Sequence, residues 1–311
     1  MLWKALRILG WVMLLLGIAL QLGLRDRHPA WTLLFYAMPR PCLAALALAL
    51  AWICKNHPFL RTTALALAAA ISLGWLGSSW QPRLMPSALP AHGKPPPAAG
   101  PHFTLLFWNL CRPRGLHPQA VQLIQQLKPD IAAFVEPGPA AGTLLTEYEA
   151  RLPGYQAAWM PRGILWLSRL PSRYRERGKL EGAGAYARFE VQGLGAPFPI
   201  VVGDVLPHLF HPRTQQLREL LAQAQGRPDA ILVGDLNTPL ESVHFDAWRA
   251  RYQNALESRP RLLRETWPCG LPLLSLDQAW VGPAWEILEV RKVWRLTGSD
   301  HAALWLHLQR R

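Results

Sequence analysis

The chain has 311 residues, half of them hydrophobic, with 33 Lys and Arg against 20 Asp and Glu. That length allows two units and a sizeable core. A positive mean hydropathy in so basic a chain excludes an even mixture of polar and apolar residues, so the apolar ones must be concentrated.

They are concentrated at the start. Residues 1–101 carry nine basic residues and one acid, Asp26 (9 − 1 = +8), while 102–311 carry 24 and 19 (24 − 19 = +5). The basic excess therefore belongs mainly to the apolar third, where flanking Lys and Arg act as topology signals and lipid contacts. A nucleic-acid footprint would need the excess on the polar part. There, +5 permits an anionic substrate without demanding DNA.

The first apolar run, Ile8–Leu24, follows Lys4 and Arg7 and is just long enough to span a bilayer. A signal peptide is the competing reading; it lacks a clear small-residue cleavage site, and two more apolar runs follow. The second run, Trp31–Cys54, is broken at Pro39-Arg40-Pro41 and reads as a short span from Cys42 or a kinked one. The third is Thr62–Trp80. Trp3, Trp31, Trp52, Trp75 and Trp80 lie near run ends, as in an aromatic belt. Three spans put the termini on opposite sides. Lys4, Arg7, Lys55 and Arg61 favour a cytoplasmic N-terminus and an extracytoplasmic C-terminal domain, while Arg25 and Arg27 argue the other way.

The expected organisation is a membrane region at 1–80, a linker at 81–101 and a catalytic domain at 102–311. The linker holds seven prolines and reads as a semi-rigid spacer keeping the domain a short distance off the bilayer. Beyond it, short apolar strands alternate with helical stretches. Strands are expected at Phe103–Trp108, Ile131–Val135, Ile164–Leu167, Ala185–Val191, Pro199–Val205, Ala230–Val233, Leu276–Val281 and Ala302–Leu308. Helices are expected at Pro118–Leu127 and Arg213–Gln225, the second from the spacing of Leu217, Leu220, Leu221 and Ala224. This is an α/β layered pattern.

Polar residues recur where these strands end: Asn109, Glu136, Asp235, Asn237, Asp300 and His301. Taken singly, each is a turn residue or a rim charge. Taken in order, Phe107-Trp108-Asn109-Leu110, Asp130 to Glu136, Gly234-Asp235-Leu236-Asn237, Leu276 to Val281 and Ser299-Asp300-His301 resemble the endonuclease/exonuclease/phosphatase family. Membrane spans ahead of such a domain are similar to a bacterial, inner-membrane branch of it.

The resemblance implies a four-layer α/β sandwich of two mixed sheets flanked by helices, behind a transmembrane helical region. It also implies a phosphoester hydrolase. Glu136, with Asn109 and Asp300, would hold Mg²⁺ (or Mn²⁺), because hard oxygen donors suit that ion. Asp235 would position or deprotonate the attacking water and Asn237 donate to the phosphate. His301 would contact phosphoryl oxygens, with Asp277 on its other ring nitrogen; the competing reading of Asp277 is a strand cap.

One piece departs from the pattern. The family has a His at the end of the strand that here reads Ile200 to Val205, and this sequence has Asp204 or Val205 in that register. Either His208 reaches back, or Asp204 replaces the His, or the site is degraded; His211 is a weaker candidate. Arg213 and Arg218 are surface charges or, at a helix start beside the site, attract phosphate. Cys111 and Cys269 either pair or remain buried thiols, and no zinc spacing is present.

The functional expectation is a membrane-anchored phosphohydrolase acting on a phosphomonoester or phosphodiester, with membrane lipids as neighbours and a lipid-borne substrate favoured over nucleic acid. A tethered nuclease and an inactive envelope domain binding an anionic partner are the alternatives.

Overall fold

The computed structural model describes residues 1–79, 100–139, 143–208, 213–258, 263–295 and 298–311. The chain begins with helices: α1 Leu2–Ala19, continued by a π-helical turn at Leu20–Leu24, then α2 Pro29–Ala37, α3 Arg40–Ile53 and α4 Pro58–Ser79. Leu2–Leu24 and Pro58–Ser78 are long and apolar enough to cross a membrane. At 1.5 Å per residue, 23 residues reach about 35 Å.

The second apolar run is a bent pair. Pro39 has no N–H to continue α2, and α2 and α3 meet at 68°. The 14 residues of α3 reach only about 21 Å, which favours a broken or re-entrant segment over a straight span. Among the described residues, all the exposed large apolar side chains except Tyr174 and Leu271 precede residue 80. An apolar surface of this extent requires lipid or protein cover.

The rest of the chain forms two six-stranded sheets. In chain order the strands are β1 His102–Asn109, β2 Ile131–Val135, β3 Gln156–Met160, β4 Ile164–Ser168, β5 Ser172–Lys179, β6 Ala185–Val191, β7 Phe198–Asp204, β8 Ile231–Asp235, β9 Gln253–Asn254, β10 Asp277–Val281, β11 Trp285–Val293 and β12 Ala303–Arg310. One sheet has the order β11-β12-β1-β2-β4-β3, the other β5-β6-β7-β8-β10-β9. Only β1–β2 and β7–β8 pair in parallel. Helices α5 Pro118–Leu127 and α6 Leu144–Arg151 cover the first sheet, and α7 Arg213–Ala222 covers the second.

Period-2 alternation builds the layers. Phe103, Leu105 and Phe107 of β1 enter the core between the sheets, with Ile200 and Val202 of β7 and Ile231 and Val233 of β8. The alternate residues Leu106 and Trp108 pack under α5 with Val121 and Ile124. Strands buried on both faces read as continuous apolar runs, which is why β1, β2, β7 and β8 are conspicuous in sequence. β5, an edge strand of sequence Ser-Arg-Tyr-Arg-Glu-Arg-Gly-Lys, has no apolar pattern and escapes that reading. Its charges suit an edge that must not pair with another chain.

Gly234 is fixed by close approach rather than by a turn. A Cβ there would lie 2.2 Å from the carbonyl oxygen of Gly203 on the neighbouring parallel strand. Backbone cannot yield as a side-chain tip can. Gly234→Ala is therefore expected to destabilise the fold by at least about 2 kcal/mol, read as a lowered thermal midpoint. An unchanged midpoint would refute this account of the glycine.

The proline-rich linker lies almost wholly outside the described residues. What is described is direct docking of the sheet domain on the helices, not the expected stand-off. Arg25 donates to the carbonyls of Glu241 and Ser242 and to the Asp246 carboxylate, at 2.6–3.1 Å. Trp75 donates its indole N–H to Glu265 Oε1 at 2.7 Å. The seam between Gln21, Phe35 and Trp75 on one side and Pro239, Glu241 and Leu274 on the other encloses about 20 Å³, room for about one water. All four cysteines are free thiols.

Candidate active site

Four parallel-paired strands deliver the polar residues to one place. Asn109 ends β1, Glu136 follows β2, Asp204 ends β7 and Asp235 ends β8. The Asn109 amide crosses between the sheets, donating to Asp235 Oδ2 at 2.9 Å, while its Oδ1 accepts from Cys111 N–H. Asp204 stands in register with Asp235, so neighbouring strands hold two carboxylates side by side.

Two site residues adopt left-handed backbone: Glu136 at φ 50° and Asn237 at φ 45°. Asn tolerates that region; for Glu it costs on the order of 1 kcal/mol, strain of the kind found at functional sites. Glu136 is held there by its N–H to Gly163 O and its carbonyl, which accepts from Arg112 N–H. The Asn237 N–H donates to Asp235 Oδ1. Its side-chain amide donates to Val205 O at 2.8 Å, so one of the two amide hydrogens expected to face phosphate is already used.

On β10, Asp277 lies directly opposite Asp235. Its Oδ2 is 2.8 Å from His301 Nδ1, and its other oxygen is buried without a hydrogen-bond partner. Thr266 Oγ1 receives the Asp277 N–H. His301 Nε2 points at Asp235 Oδ2 and Asp300 Oδ1, each 3.9 Å away. The loop carrying His301 is tied down at each residue. Ser299 Oγ donates to Asn109 O and accepts from His301 N–H; Trp108 donates to His301 O. Trp267 donates to Asp300 Oδ2 at 2.7 Å.

The charges are mutually dependent. Burial pulls His301 down, but the Asp277 charge and hydrogen bond, with Asp235 and Asp300 beyond, push it up to about 10. It is an imidazolium at neutral pH. Burial and then Asp277 raise Asp235 to about 6, against His301 and the hydrogen bonds from Asn109 and Asn237. Asp204 is raised well above the usual carboxylate range by burial and then by Asp235 and Glu136.

The structure thus brings Asn109, Glu136, Asp204, Asp235, Asn237, Asp277, Asp300 and His301 together. His208 is exposed on the loop beyond Pro207, and His211 lies outside the described residues. At the position where a His was expected, the group beside Asp235 and Glu136 is the Asp204 carboxylate. Arg213 is not a surface charge: its side chain is buried, in the field of Asp235 and of Tyr36 from α2. Arg112, Thr266 and Trp267 were not singled out in sequence. Each acts on a neighbour through a fold contact that has no local motif.

Cation chemistry fits the donors present. Glu136, Asp204, Asp235 and Asp300 supply hard oxygens whose crowding raises two of their pKa values, and the Arg112 guanidinium sits 2.7 Å from Glu136 Oε1 as a cationic partner. Among the described residues, Asp235, Asp277 and His301 also place ligand atoms within 4.8 Å of one another. Of these, Asp277 and His301 are joined by a 2.8 Å hydrogen bond, and a protonated His301 has no free nitrogen lone pair to offer a metal ion.

A two-sheet α/β sandwich with carboxylates, amides and an Asp-paired His at its strand ends defines a phosphoester-cleaving class of enzyme. The chain belongs to the endonuclease/exonuclease/phosphatase family, whose model matches residues 106–301. Members of this family are divalent-metal-dependent hydrolases of phosphoesters. Similar solved structures include a family protein from Bacteroides thetaiotaomicron (16% identity, 68% of this chain and 99% of that one, TM-score 0.52). A mannosyl-6-phosphatase from the same organism is 17% identical over 66% of this chain and 99% of its own, TM-score 0.50. The human nocturnin catalytic domain with bound sulfate is 17% identical over 68% and 94%, TM-score 0.50. These likenesses establish the fold. No curated protein matches the chain significantly in sequence.

Proposed function

We propose that the protein is a multi-pass, membrane-anchored, Mg²⁺-dependent phosphohydrolase of the bacterial inner membrane. Its substrate would be a phosphoester carried at the bilayer surface, on a phospholipid or another lipid-linked phosphate. The division into a membrane region at 1–80, a linker at 81–101 and a catalytic domain at 102–311 belongs to this proposal.

One observation carries the lipid-surface reading. The two loops that border the site also rest on the helices. The segment after Asp235 and Asn237 meets Arg25 through Glu241, Ser242 and Asp246, and the loop holding Trp267 meets Trp75 through Glu265. Leu271, an exposed apolar residue, lies on that second loop. A phosphate at headgroup level lies closer to such a mouth than duplex DNA in solution.

The same contacts favour an extracytoplasmic domain. Of the two charges against that orientation, Arg25 and Arg27, Arg25 is spent on protein acceptors and Asp246 instead of lipid headgroups. Lys4, Arg7, Lys55 and Arg61 then govern the positive-inside count.

In the proposed mechanism Glu136, Asn109 and Asp300 would hold the cation, and Asp204 would add a carboxylate in place of the family's His. A divalent cation supplies charge to the non-bridging phosphoryl oxygens and lowers the repulsion met by the nucleophile. Asp235 orients the attacking water and takes its proton. His301, fixed through Nδ1 by Asp277, offers its Nε2–H to a phosphoryl oxygen as negative charge builds there. Asn237 retains one amide hydrogen for the phosphate. The inactive-domain reading loses its support, since Asp204 faces the other carboxylates.

The test is turnover by the full chain in detergent on a panel of phospholipids, polyprenyl phosphates, sugar phosphates and plasmid DNA, with Mg²⁺, Mn²⁺ or EDTA. Release of phosphate or headgroup from a lipid, abolished by EDTA, is the expected result. Plasmid nicking without lipid turnover would establish the tethered nuclease instead, and inactivity on every substrate would reject a hydrolase.

A further inference from the structure

The helical region does more than anchor. The corner after α1 places Asp26 inside the sheet domain and Arg25, half-buried, at its surface. Asp26 is 2% exposed, and its carboxylate is filled from the domain side: Ser242 Oγ–H donates to Oδ2 at 2.6 Å, Val243 N–H to Oδ1 at 3.0 Å, and His244 Nε2 stands 3.7 Å off. Arg25 grips the same turn from outside through two carbonyls and Asp246. A buried carboxylate that accepts two hydrogen bonds fixes their donors in place.

This turn is the far end of the active-site loop. Four residues separate Asn237 from Ser242, and the stretch between is largely buried and bonded: Thr238 Oγ1 to Leu236 O, Gln278 Nε2 to Thr238 O, Arg249 Nη2 to Leu240 O. A largely buried segment tied by hydrogen bonds transmits a shift at one end instead of absorbing it. On a second line, Tyr36 of α2 is buried beside Thr238 and Arg213, and Arg213 in turn lies in the field of Asp235.

We infer that Asp26, in the membrane region, is a positioning residue for catalysis: by clamping Ser242 and Val243 it sets the placement of the Asp235–Asn237 loop, so the helices complete the active site as well as holding it at the bilayer. This rests on the hydrolase reading, and it concerns soluble substrates as much as lipids.

The experiment compares the full chain and its Asp26 variants in detergent micelles on bis(4-nitrophenyl) phosphate with Mn²⁺, beside hydrogen exchange of peptides covering 236–246. A soluble substrate removes any effect of bilayer anchoring. Asp26→Ala is expected to lower kcat at least about tenfold with KM within about threefold, and to raise exchange across 236–246. Asp26→Asn keeps the shape and one acceptor oxygen: the oxygen can still receive the Val243 N–H while the amide NH2 donates to the Ser242 hydroxyl, which can accept, so this variant is expected to stay within about threefold of wild type. Where Asp26→Ala does not yield folded protein, Ser242→Ala removes one clamp bond from the other side, with an expected loss of about threefold and the same local rise in exchange. Wild-type kcat in Asp26→Ala, or reduced kcat with unchanged exchange in 236–246, would overturn the inference. A wild-type chain inert on this probe counts against the hydrolase reading, while unchanged exchange in Asp26→Ala counts against the clamp alone.

Discussion

Asp235→Asn is expected to lower kcat on the order of 10³-fold, about 4 kcal/mol of barrier, while making the EDTA-treated protein more stable at pH 8. The amide keeps the shape and can still meet the Asn109 and Asn237 donors in part, but it cannot take the proton of the attacking water. The stability gain follows from the crowding. Burial and the facing Asp277 raise Asp235 to about 6 in the folded chain from an ordinary value of 3.8. A raised carboxyl pKa means the folded state prefers the neutral acid, so its contribution is present at low pH and lost as pH rises through about 6. Above that pH the ionised carboxylate costs stability that the neutral amide does not. The difference between variant and wild type should therefore grow from pH 4 to pH 7 and then level off. Melting curves across this range, with and without Mg²⁺, measure it. Wild-type turnover in the variant would remove Asp235 from the chemistry; equal melting curves at all pH values would refute the crowding argument.

The second large effect belongs to His301. His301→Gln is expected to reduce kcat by about 10²–10³-fold, through loss of a charged donor to the phosphoryl oxygens. It should also reshape the alkaline side of the stability profile. Burial works against the imidazolium, but Asp277, then Asp235 and Asp300, raise it to about 10 from an ordinary 6.5. For a base with a raised pKa, the stabilisation is complete below about pH 6.5 and disappears as pH rises through about 10. Wild type should lose stability steadily over that interval, and His301→Gln should be lower at neutral pH and nearly flat. A wild-type profile that is flat between pH 7 and 10 would show that the Asp277–His301 pair is not ionised.

Much of the fold was legible because doubly buried strands leave a continuous apolar signature. β2 and β6 and helix α5 have the bounds expected from sequence. β3, β5, β9 and β11 were not anticipated; all four are sheet edges carrying exposed polar residues, and β9 has only two residues. An edge strand is held by pairing with its neighbour, which leaves no local pattern. The site shows the same division. Asn109, Glu136, Asp235, Asn237, Asp300 and His301 were visible because each sits next to the end of an apolar strand. Arg112, Thr266 and Trp267 were not, because what they do is hold a residue distant in sequence.

The placement of Asp204 and His208 also needed three dimensions. The β7–β8 register puts Asp204 beside Asp235, while Pro207 precedes an exposed His208. Gly-Asp-Leu-Asn and Ser-Asp-His, in order with the pieces at Asn109, Glu136 and Asp277, pointed to the family, since strand-end position and side-chain chemistry are local properties. The sequence also determined that three apolar runs precede the domain. It gave Arg25 and Asp26 the appearance of mere flanking charges. Only the tertiary structure decided that Asp26 is buried in the turn beyond Asn237 and that Arg25 grips it from outside, because hydrogen bonds across more than 200 residues of chain leave no trace in the local pattern.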